Sequence, residues 1–230
     1  MRSLIQLLIP ERIPWFAAGL YDRIAQDAVE SYYKPVAEEI VAAMNRGLIL
    51  DIGTGPGYLP IEIAKIAPQV TIQAVDLTGK MIRLARRGAR EAGVSNRITF
   101  RVGDANKLRF GDDSFDMVIS TGALHAWKHP VRVMRECLRV LKPGAEAWIY
   151  DPAHVVTKRT EEYLRHNLGR IDRIAYKWAS WSTRGTEPLT GDRIRSILER
   201  LDCMETRVEK GRWLKIILRK HDPPARTQEQ

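Results

Sequence analysis

From residue 48 onward, short β-type runs alternate with helix-type stretches, and this rhythm constrains the fold more than any other feature of the chain. "LILDI", "VTIQAVD", "RITFRVGD", "FDMVIST" and "EAWIYD" are rich in Val, Ile and aromatic residues. Between them, Tyr58 to Ala67, Thr78 to Ala92 and Pro130 to Leu141 carry helical periodicity. "KPG" stops the last of these with a proline and a glycine just past the helix end. Such alternation predicts a mostly parallel sheet with helices on both faces. The rhythm then changes. "GDRIRSILERLD" reads as a helix, and "METRVEKGRWLKIILRK" as two strands joined at Lys210-Gly211. A direct hairpin there makes the last strand antiparallel. The predicted fold is α/β, a doubly wound, seven-stranded, mostly parallel sheet with its last strand antiparallel.

Two polar-aromatic segments stand outside the alternation. Residues 1–46 precede the first sheet strand and are expected to form a helical lid or substrate segment; residues 152–189, with "YKWASWSTRGTEP", are expected to cover the substrate. The main domain is then 47–221, and residues 222–230 read as a disordered tail. The apolar run Leu4 to Ile9 is too short to span a bilayer and lacks a small-residue cleavage site, so neither an anchor nor a signal peptide is predicted.

The ligand of the sheet is announced by "LILDIGTGPGYLPIEIAK", an apolar strand followed by three glycines at every second position and then a helix. The dinucleotide fingerprint G-x-G-x-x-G fails in both frames. From Gly53 the third glycine position holds Tyr58, and from Gly55 it holds Pro60. A P-loop fails as well, for no Gly-Lys-Ser/Thr follows. What stands here is D-x-G-x-G-x-G, with Asp51 at the end of the first strand.

Further strand-end motifs follow in order: "QAVDLTGKM", "GDANKLRF", "FDMVISTGALHAW" and "VRVMRECLRVLKPGAEAWIYD". Together they resemble the class I S-adenosylmethionine-dependent methyltransferases, specifically the small-molecule (type 11) branch typified by quinone-biosynthesis C-methyltransferases. The resemblance covers residues 48–151 and extends weakly to "AAGLYDRIA" upstream. It implies the methyltransferase fold, direct in-line methyl transfer to a small molecule, and S-adenosyl-L-methionine as cofactor with S-adenosyl-L-homocysteine as product. Gly53, Gly55 and Gly57 would let the backbone pass close to the cofactor. Asp76 would accept from the ribose diol, and Asp104, in "GDA" after Gly103, from the adenine amino group, with the Ala105 amide on a ring nitrogen. Leu77 and Met81 would touch the adenine, although Met81 equally fits a helix core. Ser120 and Thr121 would lie against the methionyl group, Ser120 through its backbone, and Asp51 would act indirectly at the cationic amino-acid end. Tyr21 is a candidate to cap the cofactor.

Methyl transfer from a sulfonium needs alignment and exclusion of water, worth roughly 7–11 kcal/mol of barrier, and at most a modest base. His125, just after strand four, is the candidate base, and no metal is expected because no cluster has ligand spacing. The two cysteines, Cys137 and Cys203, form neither a disulfide framework nor a metal motif, and a reducing cytoplasm is predicted. The formal charge of +9 leaves an RNA methyltransferase as the alternative, or methylation of a quinone or lipid at a membrane surface touched by the N-terminal segment. Against nucleic acid, the basic residues are scattered, and no Asn/Asp-Pro-Pro-aromatic motif follows strand four. Arg83, Arg86, Arg87 and Arg90 share one helical face, the pattern of a solvated surface.

Overall fold

The computed structural model describes residue 26 and residues 29–151, 190–210 and 213–222. Seven strands form one sheet: β1 (Arg46–Ile52), β2 (Gln69–Asp76), β3 (Ile98–Val102), β4 (Phe115–Thr121), β5 (Leu141–Asp151), β6 (Glu205–Lys210) and β7 (Leu214–Arg219). Their order is β3-β2-β1-β4-β5-β7-β6. The first five pair in parallel, whereas β7 is antiparallel to both β5 and β6. The hairpin expected around residue 210 is present, and its two turn residues, 211 and 212, lie outside the described residues. β5 is longer than its "EAWIYD" core. It begins at Leu141 and carries the "KPG" expected to end the preceding helix, with a register shift opposite Phe115 and Met117.

The helices are α1 (Lys34–Ala43), α2 (Tyr58–Ile66), α3 (Gly79–Glu91), α4 (Pro130–Val140) and α5 (Gly191–Leu198), with a π-helical turn at Val29–Tyr33 leading into α1. Two cores flank the sheet. On one face Ile49, Ile119, Trp148 and Ile217 meet α1, α2 and α3 through Val36, Ile63 and Ala85; on the other, Leu50, Val118, Ile149 and Ile216 meet α4 and α5 through Met134 and Ile194. Successive strand residues therefore serve opposite cores, as the period of two dictates. α3 shows why its sequence folds this way: Met81, Ile82, Ala85 and Ala89 face the sheet at helical spacing. Arg83, Arg86, Arg87 and Arg90 are exposed, as expected of that face. Two of them are engaged, Arg86 donating to the Phe100 carbonyl (2.6 Å) and Arg87 pairing with Glu91 (2.7 Å).

The segment preceding β1 is divided. Residues 29–43 pack into the sheet layer, with Val36, Ala37 and Ile40 fully buried and α1 seated on α2. Lys215 of β7 fastens it: its buried ammonium lies 2.5 Å from Glu39 of α1 and 3.6 Å above the Trp148 ring. Of the expected lid segment 1–46, residues 1–25 lie outside the described residues, as do the expected substrate-covering segment 152–189 and the tail 223–230. No helix among the described residues is long and apolar enough to cross a membrane.

Candidate active site

The strand order reverses between β1 and β4, and in open α/β sheets a ligand sits outside the carboxyl ends of the strands at such a switch point. The glycine turn leaves β1 at that place. Gly53, Gly55 and Gly57 have φ of 71°, 54° and 82°, the left-handed region that L side chains avoid. The Gly53 and Thr54 amides both donate to the Val75 carbonyl at 2.9 and 3.0 Å, which pins the turn to β2. A methyl group on Gly53 would meet the Ala123 Cβ at 2.8 Å, and one on Gly57 the Ala85 Cβ at 2.8 Å. The glycines thus serve the packing of the turn as well as approach to a ligand.

Asp76 ends β2 and organises both neighbouring segments. Its Oδ2 accepts from the Gly55 amide (2.9 Å) and its Oδ1 from the Thr78 amide (2.8 Å). A carboxylate has about four lone-pair positions; the Thr78 side chain draws on a third, and the remaining capacity is open to a ligand's hydroxyl. Burial raises its pKa, with the Thr78 and Gly55 amides opposing.

Asp51 is the anomaly. It is 1% exposed, and neither carboxylate oxygen has a hydrogen-bond partner among the described residues; the same holds for the buried Thr54 hydroxyl beside the turn. Burial pushes the Asp51 carboxyl up to about 7; Thr54 draws it back without reaching good hydrogen-bond geometry, and the charge of Asp76 adds to the rise. Unpaired buried carboxylates are costly and rare, so this one calls for a cationic or donating partner.

Around this centre the remaining predicted residues fall as follows. The Gly103 amide donates to the Asp76 carbonyl (3.0 Å) and leads into Asp104, which is exposed. Asp104 Oδ1 accepts from the backbone and side-chain amides of Asn106 (2.8 and 2.9 Å), leaving Oδ2 for another donor. Ala105 and Leu77 are half-buried. Met81 has no accessible surface, so here it is a core side chain, and Leu77 is the one that can meet a ligand. Ser120 spends its hydroxyl on the Ile52 carbonyl (2.8 Å), and Thr121 is buried at the end of β4. Tyr21 lies outside the described residues.

Two features escaped the sequence reading. Val102, paired with Asp76 at the end of β3 and two residues before Asp104, is 60% exposed and offers an apolar surface there. Asp151, the last residue of β5, is fully buried and accepts from the His125 backbone amide (3.0 Å) while lying 3.0 Å from its ring Nδ1. Its signal was a strand-end acid in "IYD", which only the β4–β5 pairing turns into a neighbour of His125. Cys137 is buried in α4, where burial pushes its thiol up to about 12 and leaves it unreactive.

A doubly wound sheet with a glycine turn and two strand-end acids defines a cofactor-binding α/β domain of nucleotide type. Residues 45–215 match the methyltransferase domain family, and the chain belongs to that family. It is 28% identical over 131 residues to the ubiquinone/menaquinone biosynthesis C-methyltransferase of Geotalea daltonii, covering 56% of each protein. It is 31% identical over 144 residues to the demethylmenaquinone methyltransferase of Porphyromonas gingivalis, 61% of this chain and 59% of that one. The matches therefore span a little over half the length of these relatives. Among solved structures, a Methanococcus maripaludis protein classed as an S-adenosyl-L-methionine-dependent methyltransferase superposes with a TM-score of 0.73 at 24% identity. That match covers 90% of this chain and 94% of the other and establishes the shared fold.

Proposed function

We propose that this protein is an S-adenosyl-L-methionine-dependent methyltransferase acting on a small molecule, with a quinol as the leading acceptor. The observation that carries the reading is the buried, unpartnered Asp51 carboxylate beside three left-handed glycines, a site built for a cationic ligand that approaches the backbone closely. The residues present fit this cofactor. Asp51 and Thr54 offer acceptors for the ammonium of its amino-acid end, Asp76 for a ribose diol, and Asp104 for an adenine amino group between Leu77 and the exposed Val102. When bound, S-adenosyl-L-methionine supplies a methyl group on a sulfonium that departs as a neutral thioether. The protein's part is to hold the two reactants in line and dry; the backbone at Ser120 and Thr121, paired with Ile149 and Tyr150 of β5, would line the place where they meet. The quinol acceptor is supported by the relatives that match, both named for quinone methylation.

Calorimetry tests the cofactor. Binding of S-adenosyl-L-methionine and S-adenosyl-L-homocysteine, and none of NADH, is the expected result; tight NADH binding alone would refute the reading. In the same experiment Asp76→Ala should lose a charge-assisted acceptor worth roughly 1.5–3 kcal/mol, about a ten- to hundredfold fall in affinity. An unchanged Kd in a folded Asp76→Ala protein would remove Asp76 from the site.

A further inference from the structure

We infer that Asp151 positions His125 as the base that takes a proton from the methyl acceptor, so that the acceptor is a hydroxyl or a carbon acid that arrives still protonated. The inference rests on the methyltransferase reading and adds the acceptor's chemical class to it.

The geometry is specific. His125 sits in the helical turn Leu124–Ala126 just beyond β4, and Ala123, two residues before it, packs at the glycine turn, where its Cβ would touch any methyl on Gly53. His125 thus follows two residues after the contact with the glycine turn, at the carboxyl ends of β4 and β5. Asp151 reaches it from the next strand and makes two kinds of contact. Oδ2 accepts from the His125 backbone amide at 3.0 Å, which fixes the turn, and the ring Nδ1 lies 3.0 Å from Oδ2 and 3.3 Å from Oδ1, which fixes the imidazole.

A carboxylate accepts only, so Nδ1 must carry the hydrogen, and in the neutral ring the lone pair is then on Nε2. Asp151 is fully buried while the His125 side chain is 32% exposed, so the acid is enclosed and the ring is reachable. Burial disfavours the imidazolium, but the hydrogen bond and charge of Asp151 outweigh it, and the pKa of His125 is raised. A stronger base at Nε2 is the result. Amines that arrive neutral and thiols that arrive ionised do not need this device; an alcohol, phenol or quinol does. The acceptor's O–H or C–H proton passes to Nε2 and the bonding pair stays behind as the nucleophile, on that atom or, in a phenolate, delocalised onto a ring carbon. A ring carbon methylated in this way then loses its own hydrogen as a proton to water, and Asp151 balances the imidazolium until His125 releases its proton to water.

Three measurements on the full chain decide it. Ring nitrogen NMR, with His125→Gln assigning the signal among five histidines, should show Nδ1 protonated and Nε2 bare at alkaline pH, with a titration above 6.5 that falls in Asp151→Asn. An Nε2-protonated ring, or a titration indifferent to Asp151→Asn, overturns the positioning role. Labelled methyl transfer is then followed on a short-chain demethylated naphthoquinol, catechol, aniline as an amine that arrives neutral, and an acidic thiol that arrives ionised. Transfer to the first two, with kcat lowered about 10²–10⁴-fold in His125→Ala, an unchanged Kd for S-adenosyl-L-homocysteine and partial rescue by imidazole in the buffer, supports the base. A purely structural dyad would not be rescued. Transfer only to the amine or thiol, no transfer to any of the four, or a kcat insensitive to His125→Ala, overturns it. Absence of S-adenosyl-L-homocysteine binding in the wild type is the separate outcome that brings down the methyltransferase reading itself.

Discussion

Asp51→Asn is expected to stabilise the cofactor-free protein by up to roughly 4 kcal/mol at pH 8 and to weaken S-adenosyl-L-methionine binding at least tenfold. The cause is the burial of an unpartnered carboxyl, raised from an ordinary 3.8 to about 7. Because the folded-state pKa lies above the unfolded one, the folded chain holds a proton that the unfolded chain has given up between those values. Stability is therefore fully present below pH 3.8 and lost as pH rises through 7. At 1.36 kcal/mol per pH unit, the loss across that window is roughly 4 kcal/mol. Asparagine carries no charge to bury, so its advantage should be near zero at pH 4 and grow to its full size by pH 8. Urea titrations of both proteins at the two pH values measure this directly; the same difference at both would show that Asp51 is ionised and satisfied in the folded state. Affinity moves the other way, because the ligand's ammonium loses its charged partner. A site whose removal strengthens the fold is the signature of a group kept for binding.

How far such a site can be read from sequence depends on whether its parts are local. The D-x-G-x-G-x-G turn and Asp76 were legible because each is set by neighbours in the chain: a strand must end, a turn must run at positive φ, and an acid must stand at the next strand's end. Helix limits were close for the same reason, with α2 ending at Ile66 against an expected Ala67 and α3 running Gly79–Glu91 against Thr78–Ala92. Whatever depends on distant pairing was not legible. His125 and Asp151 are 26 positions apart and meet only because β4 and β5 are parallel neighbours. Lys215 is buried with its ammonium on Glu39, 176 residues away, a contact no local pattern announces. Met81 could have been ligand contact or core, and its spacing alone, which satisfies both, did not choose. The burial state of α1 was hidden likewise, since its partners are α2 and the β7 lysine rather than its own sequence neighbours.

Gly57→Ala should cost about 2–5 kcal/mol of stability, a large share of the roughly 5–15 kcal/mol typical of a folded domain. Two effects add. At φ 82° an L side chain pays about 1–2 kcal/mol for the left-handed conformation. Its methyl would also stand 2.8 Å from the Ala85 Cβ, 3.0 Å from the Phe100 ring and 3.2 Å from the Ala85 Cα. Ala85 lies on α3 with no accessible surface, so relief requires α2 and α3 to separate; forcing an extra methyl into such packing costs typically 1–3 kcal/mol. Gly93 is the internal control. It has φ 71° but nothing within 4 Å of an added methyl, so Gly93→Ala should show the conformational cost alone. The double variant Gly57→Ala/Ala85→Gly should recover part of the steric cost and none of the conformational one, beyond the ordinary penalty of about 0.5–1 kcal/mol for a helix glycine. Denaturant midpoints of the four proteins separate the contributions. If Gly57→Ala is no worse than Gly93→Ala, the third glycine of the turn is not there to let α3 close against it, and its place in the motif must be explained by the ligand alone.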